Sequence, residues 1–162
     1  MPEAPALKAA LAQVATGQDL TEEAMTEALG EIMDGAASDA LLAGFLVGLR
    51  VKGETPHEIA GAVQAMRQRA VKITPKATRI MDTCGTGGDG AGTFNISTAV
   101  AFVCAAAGVT VAKHGNRAIS SRVGSADVLE ALDVRLDLTP EAVTRCIDEI
   151  GIGFLYAPHH HG

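Results

Sequence analysis

Three stretches of the chain carry residue types that could do chemistry: Asp82-Thr83-Cys84-Gly85-Thr86-Gly87-Gly88-Asp89-Gly90, then Thr93-Phe94-Asn95-Ile96-Ser97-Thr98, then Lys113-His114-Gly115-Asn116-Arg117 with Ser120-Ser121. Glycines in the first let successive backbone N–H groups turn inward and approach an anion closely. Asn95 and Ser97 are helix-capping types set before an almost wholly apolar run, Ala99 to Ala107. A buried helix starting there would offer free N–H groups and a positive dipole end to the neighbouring loop. The third stretch supplies cations, an amide and hydroxyls. From residue 90 to residue 126 there is no Asp or Glu, while Lys113, Arg117 and Arg122 fall in that window. In this order, and between apolar segments, the three read as a pocket for a phosphorylated sugar.

Each stretch also has a plain structural reading. The match of Gly85 to Gly90 with G-x-G-x-x-G is formal, since the helix starts near Ser97 and no acidic residue follows at the distance that holds a ribose. No Gly-Lys-Ser/Thr follows either, which removes the Walker pattern. A tight turn explains the glycines alone, Asn95 or Ser97 could merely cap its own helix, and a solvated turn explains Lys113 and Arg117. Gly124-Ser125-Ala126-Asp127 opens another helix, whose start could donate to the same anion or be capped by Ser125.

The elements that must position these residues follow from periodicity. The first seventy or so residues read as four helices: one carrying Leu7, Leu11 and Val14, one from Asp19-Leu20-Thr21-Glu22 to Met33 with a stop at Gly35, one opened by Ser38, and one opened by the capping box Thr55-Pro56-His57-Glu58. Residues 1–73 are expected to form a small helical domain whose apolar stripes could also serve as a subunit contact, with Phe45 and Leu49 as candidates. Residues 74–162 are expected to form an α/β domain. Its strands are predicted at 79–83, 109–112, 134–138 and 154–157, and its helices at 97–107, the first of them buried, 126–132 and 140–150. Alternation of this kind indicates a parallel sheet with crossovers, and the domain reads as incomplete because no helix is expected after the last strand. His159, His160 and His161 leave a tag remnant and a metal cluster both open.

The 162 residues hold 13 Lys and Arg against 19 Asp and Glu, a net charge of −6, with no Trp and one Tyr. That balance opposes nucleic-acid partners, which need a basic face or stacking aromatics. One small phosphorylated ligand in a local basic pocket remains compatible. The apolar runs are too short to span a bilayer and the N-terminus has no signal-peptide pattern, so a cytoplasmic protein without membrane contact is expected. Cys84, Cys104 and Cys146 have no metal-like spacing and read as structural.

In these motifs and in Gly124-Ser125-Ala126-Asp127-Val128-Leu129-Glu130, the whole chain resembles the anthranilate phosphoribosyltransferase family. The resemblance implies an α/β fold of the nucleoside phosphorylase/phosphoribosyltransferase type behind a small helical domain, and a homodimer formed through the N-terminal helices. It implies transfer of phosphoribosyl from phosphoribosyl pyrophosphate to the anthranilate amine, with release of pyrophosphate and use of Mg²⁺, in tryptophan biosynthesis. Gly85, Gly88, Asp89, Thr93, Asn95, Ile96, Ser97, Thr98, Lys113, Ser121 and Ser125 would hold the sugar diphosphate, and Ser97 would also touch the metal. Gly85, His114 and Asn116 would contact anthranilate.

The family's pattern also has a later arginine for the anthranilate carboxylate and an Asp-Glu pair for a second magnesium, and neither has a counterpart here. Asp148-Glu149 does not match that motif. These residues alone are therefore expected to bind the sugar diphosphate weakly and turn over little or nothing. A pyrimidine nucleoside phosphorylase is the nearest enzymatic alternative, and a non-catalytic dimerisation or binding module is the alternative of another class.

Overall fold

The computed structural model describes residues 4–85, 94–118 and 123–160. They fall into two compact units, Met1–Ala70 and Val71–Gly162.

The first unit is a helical bundle: α1 Pro5–Ala15, α2 Glu22–Met33, α3 Asp39–Lys52 and α4 Pro56–Arg69. Local chemistry sets its boundaries. Thr21, Ser38 and Thr55 each accept from the backbone N–H three residues on, satisfying a donor that the first helical turn leaves open. Thr55 and Glu58 complete the expected capping box. The start of α1 has no side-chain cap of its own. Instead the Glu31 carboxylate, from α2, accepts from Ala6 N at 3.2 Å and Leu7 N at 2.8 Å.

Leu7, Val14, Leu20, Met25, Phe45 and Leu49 form the bundle core. Phe45 and Leu49 are thus core residues, at 0% and 7% exposure, and the apolar side chains that α3 leaves in solvent are Leu46, Val47 and Val51. Helices α2 and α4 meet at Gly61, where an added Cβ would run into the backbone carbonyl of Glu22 and the Met25 side chain. Gly61→Ala is therefore expected to lower bundle stability by about 1–3 kcal/mol, the usual cost of overpacking, measured by urea unfolding; an unchanged midpoint would mean that the helices part freely here.

The second unit is α/β. It runs α5 Ile96–Ala106, β1 Val111–Gly115, α6 Ser125–Ala131, α7 Pro140–Ile150, β2 Ile152–Tyr156 and α8 Ala157–His160. β1 and β2 pair in parallel from Val111↔Ile152 to Gly115↔Tyr156, with α6 and α7 in the crossover between them. Helix α7 ends on Gly151, whose φ of 78° is the left-handed conformation glycine adopts without strain.

Several strand expectations are corrected. Residues 79–83 make one parallel bridge, Met81 to Val111, because Asp82 turns the chain out of the ladder by accepting from Cys84 N. Residues 134–138 form no strand. The alternating Val134, Leu136 and Leu138 have no ladder partner among the described residues, and Arg135 pairs with Asp137 in solvent. The strand expected at 109–112 lies at 111–115, so Lys113 and His114 belong to β1 and not to the loop after it. The last strand lies at 152–156 and the short helix α8 follows it, where none was expected. Finally, α5 is not buried: Val100, Phe102 and Val103 are 39%, 41% and 68% exposed, since α5 packs on β1, β2 and α6 with one face only.

Candidate functional site

The described residues of the three chemistry-bearing stretches meet at the C-terminal end of β1. Three contacts hold the base of the glycine segment there. Thr83 Oγ1 donates to Ser97 O at 2.8 Å, Asp82 Oδ1 accepts from His114 N at 3.3 Å, and Cys84 Sγ lies 3.8 Å from His114 Nδ1. Gly85 follows directly. Gly88, Asp89, Thr93 and Ser121 lie outside the described residues.

Asn95 is the N-cap of α5, and its Oδ1 accepts from Thr98 N at 3.2 Å, Thr98 Oγ1 at 2.8 Å and Ser97 Oγ at 3.2 Å. The capping reading of Asn95 is therefore correct as far as its oxygen goes. Ile96, Ser97 and Thr98 form the first turn of α5 behind it.

Lys113 is 2% exposed, although a lysine normally keeps its ammonium in water. Its Nζ donates to His114 O at 3.3 Å. Burial lowers its pKa from the ordinary value, and the nearby Cys84 and Asp82 charges offset part of that effect. A cation held in this way gains from an incoming anion, because pairing replaces the hydration that burial removed.

Arg117 does not serve the pocket as a second cation. Its guanidinium meets Glu130 at 2.8 and 2.9 Å and Asp127 at 3.1 Å, and lies 6.0 Å from the centre of the Tyr156 ring. Glu130, then Tyr156 and Asp127, raise its pKa above the ordinary value. The acid-free window ends at Ala126, and the next two carboxylates fold back onto it; spacing along the chain concealed this.

Asn116 and Ser125 are brought together. Ala126 N donates to Asn116 O at 3.2 Å, and a Cβ on Gly115 would stand 2.9 Å from the Ser125 Cβ. Ser125 is the first residue of α6 and not its cap, which is Gly124. The Asp127 carboxylate takes that role, accepting from Gly124 N at 2.8 Å. Sequence reasoning missed Asp82, Thr83 and Asp127 as anchors. The signals were an Asp two residues before Cys84 and an Asp three residues after Gly124, both spacings at which carboxylates accept from backbone.

Asp148 accepts from Lys76 N at 2.8 Å and Glu149 lies 3.8 Å from Arg145, so both carboxylates have structural partners away from the site. His160 is buried at 4% exposure, its carbonyl accepting from Val71 N, and His159 packs edge-on to Tyr156 at 5.3 Å. Among the described residues no group of three or more His, Cys, Asp or Glu is placed to hold a metal ion, and no helix is long and apolar enough to cross a membrane.

A curated anthranilate phosphoribosyltransferase from Symbiobacterium thermophilum is 61% identical to the chain over 155 residues, covering 96% of this chain and 46% of the relative. The crystal structure of anthranilate phosphoribosyltransferase (TrpD) from Thermus thermophilus superposes with a TM-score of 0.86 at 49% identity, over 94% of this chain and 46% of that one. The Saccharomyces cerevisiae enzyme in complex with PRPP and Mg gives 0.83 at 26% identity, over 96% and 47%. The chain spans about half the length of the curated relatives it matches. Two family models match it, the helical bundle domain of the glycosyl transferase family over residues 8–70 and the a/b domain of the same family over residues 77–162. Bundle and α/β unit, in that order, make this chain a member of the glycosyl transferase family.

Proposed function

We propose that the chain carries the phosphoribosyl pyrophosphate cradle of an anthranilate phosphoribosyltransferase. The observation that carries the reading is the convergence of Gly85, the start of α5 and the buried Lys113 at one end of β1. Gly85, Asn95, Ile96, Ser97, Thr98, Lys113 and Ser125 would hold the sugar diphosphate, together with Gly88, Asp89, Thr93 and Ser121. His114, Asn116 and Gly85 would meet anthranilate. Backbone donors at a helix start and a desolvated ammonium suit an oxyanion whose charge grows as pyrophosphate departs. Holding the aromatic amine against C1 of the ribose would supply much of the remaining acceleration.

Magnesium fits as an ion carried in on the diphosphate. Ser97 Oγ donates its proton to Asn95 Oδ1, which leaves oxygen lone pairs of the kind a hard cation takes. When bound, the ion would neutralise charge on the diphosphate oxygens. We also read the protein as a cytoplasmic homodimer joined through its N-terminal helices, where the exposed Val47 and Val51 of α3 are the residues to probe.

Titrating the chain with PRPP and Mg²⁺ while following amide signals tests the cradle. Gly85, Ser97 and Lys113 are expected to shift together along one saturating curve. Silence of all three at millimolar ligand would sink the reading, and a response to thymidine with phosphate instead would point to a nucleoside phosphorylase.

A further inference from the structure

We propose that Asp127 is a positioning residue whose carboxylate staples the two flanks of the β1–α6 connection, at Ala118 and Gly124, and so fixes Asn116 and Ser125 in the candidate site. Asp127 Oδ2 accepts from Ala118 N at 3.0 Å and from Gly124 N at 2.8 Å. A capping carboxylate explains the Gly124 bond. It does not explain Ala118, nine residues away in sequence. The other oxygen, Oδ1, takes Arg117 Nη1 at 3.1 Å, and Arg117 is in turn gripped by Glu130, from the next turn of the same helix, and lies over Tyr156 of β2.

The two flanks also touch without the carboxylate. A Cβ on Gly124 would collide with Ala118 N, the Arg117 carbonyl carbon and Asn116 O, so only glycine lets them approach this closely. From this junction Ala126 N reaches Asn116 O at 3.2 Å, and the Gly115 backbone abuts Ser125. The Asp127 carboxylate closes the connection at the same junction, beside the contacts that place both residues. Charge-assisted bonds to backbone are roughly twice as strong as neutral ones, which suits a single side chain to that task.

The functional half of the proposal rests on the reading of the site given above, and the structural half does not. The experiment compares the full chain with Asp127→Ala and the near-isosteric Asp127→Asn by amide hydrogen exchange, by pH titration of amide shifts, and by PRPP titration with Mg²⁺. In Asp127→Ala, exchange at Ala118 and Gly124 is expected to quicken about tenfold or more. The Gly151 amide, bonded to Ile147 O in α7, keeps its wild-type rate and reports an intact fold. In the wild type both flank amides should follow one titration, with its midpoint below the ordinary aspartate value because Gly124 N, Ala118 N and Arg117 hold the carboxylate charged; Asp127→Asn abolishes it. Glu130 is the other carboxylate on Arg117, so Glu130→Gln must leave that shared titration in place. Asn116 and Ser125 signals move in both Asp127 variants, and PRPP affinity falls about tenfold.

A response at Gly124 alone would reduce Asp127 to a helix cap and overturn the staple. Loosened flanks with Asn116, Ser125 and PRPP affinity unmoved would overturn the positioning role. If the wild-type chain takes up no PRPP, the reading of the site falls by itself, and the staple stands or falls on the amide shifts of the flanks, Asn116 and Ser125.

Discussion

Lys113→Met is expected to weaken PRPP binding about thirtyfold while leaving the α/β unit as stable as before, or more so. The size follows from the loss of one charge-assisted contact to phosphate, about 2 kcal/mol, at about 1.4 kcal/mol per decade of affinity. The stability half follows from burial. At 2% exposure Lys113 has given up most of its hydration, and its ammonium is held below its ordinary pKa for that reason. A lysine whose folded value is depressed binds protons less readily in the native than in the unfolded state. Its penalty is therefore present at neutral pH and is relieved as pH rises through the folded value towards the unfolded one. Methionine keeps much of the volume and removes the penalty. Calorimetric titration with PRPP and Mg²⁺, beside a thermal melt, checks both halves. Unchanged affinity would remove Lys113 from the cradle, and a large fall in melting temperature would make it a structural residue.

Glu58→Ala should cost the helical bundle about 3–5 kcal/mol, the range for breaking a buried ion pair by deleting one partner. Glu58 is 0% exposed and ties three segments together. Oε1 accepts from Leu20 N at 2.9 Å, while Oε2 accepts from Thr55 N at 2.8 Å and Lys52 Nζ at 2.9 Å. Alanine would strand two backbone donors and half of the Lys52 pairing, leaving Asp19 at 2.7 Å as its other carboxylate. Against a typical total of about 5–15 kcal/mol, that loss is large. Urea unfolding followed on amide signals from α1 to α4 measures it, and a loss below about 1 kcal/mol would mean that water replaces the carboxylate.

The pH dependence of this node has a definite sign. Burial alone would raise the Glu58 carboxyl, but Leu20 N, Thr55 N and Lys52 together bring it below the ordinary value. A depressed carboxylate contributes stability that is present above its unfolded pKa. That contribution is lost as pH falls through the folded one. Acid unfolding of the bundle should accordingly shift to higher pH in Glu58→Ala.

The second role of Glu58 was hidden in the sequence. Thr55-Pro56-His57-Glu58 announces a capping box, because a side chain and a backbone donor three residues apart meet in any helix start. The bonds to Leu20 and Lys52 need the bundle to exist first. The same division runs through the α/β unit. Helix α7 was legible to its ends, expected and found at residues 140–150. The segment 134–138 alternates like a strand and is none, since alternation records which side chains could share a face and not whether a neighbouring strand is there to pair. The apolar run of α5 promised burial, yet burial depends on what packs against the helix.

By itself the sequence determined the helices of the bundle, α5 to α7 to within a residue, the order of bundle and α/β unit, and the residue types that meet at the end of β1, because caps, turns and periodicity act over a few residues. Only the tertiary structure decided that Lys113 is a buried strand cation, that Arg117 belongs to Glu130 and Asp127, and that Asp127 reaches back to Ala118. Charge and hydrogen bonding act through space over a few ångströms, and which groups come that close is fixed by how the elements pack and not by their distance along the chain.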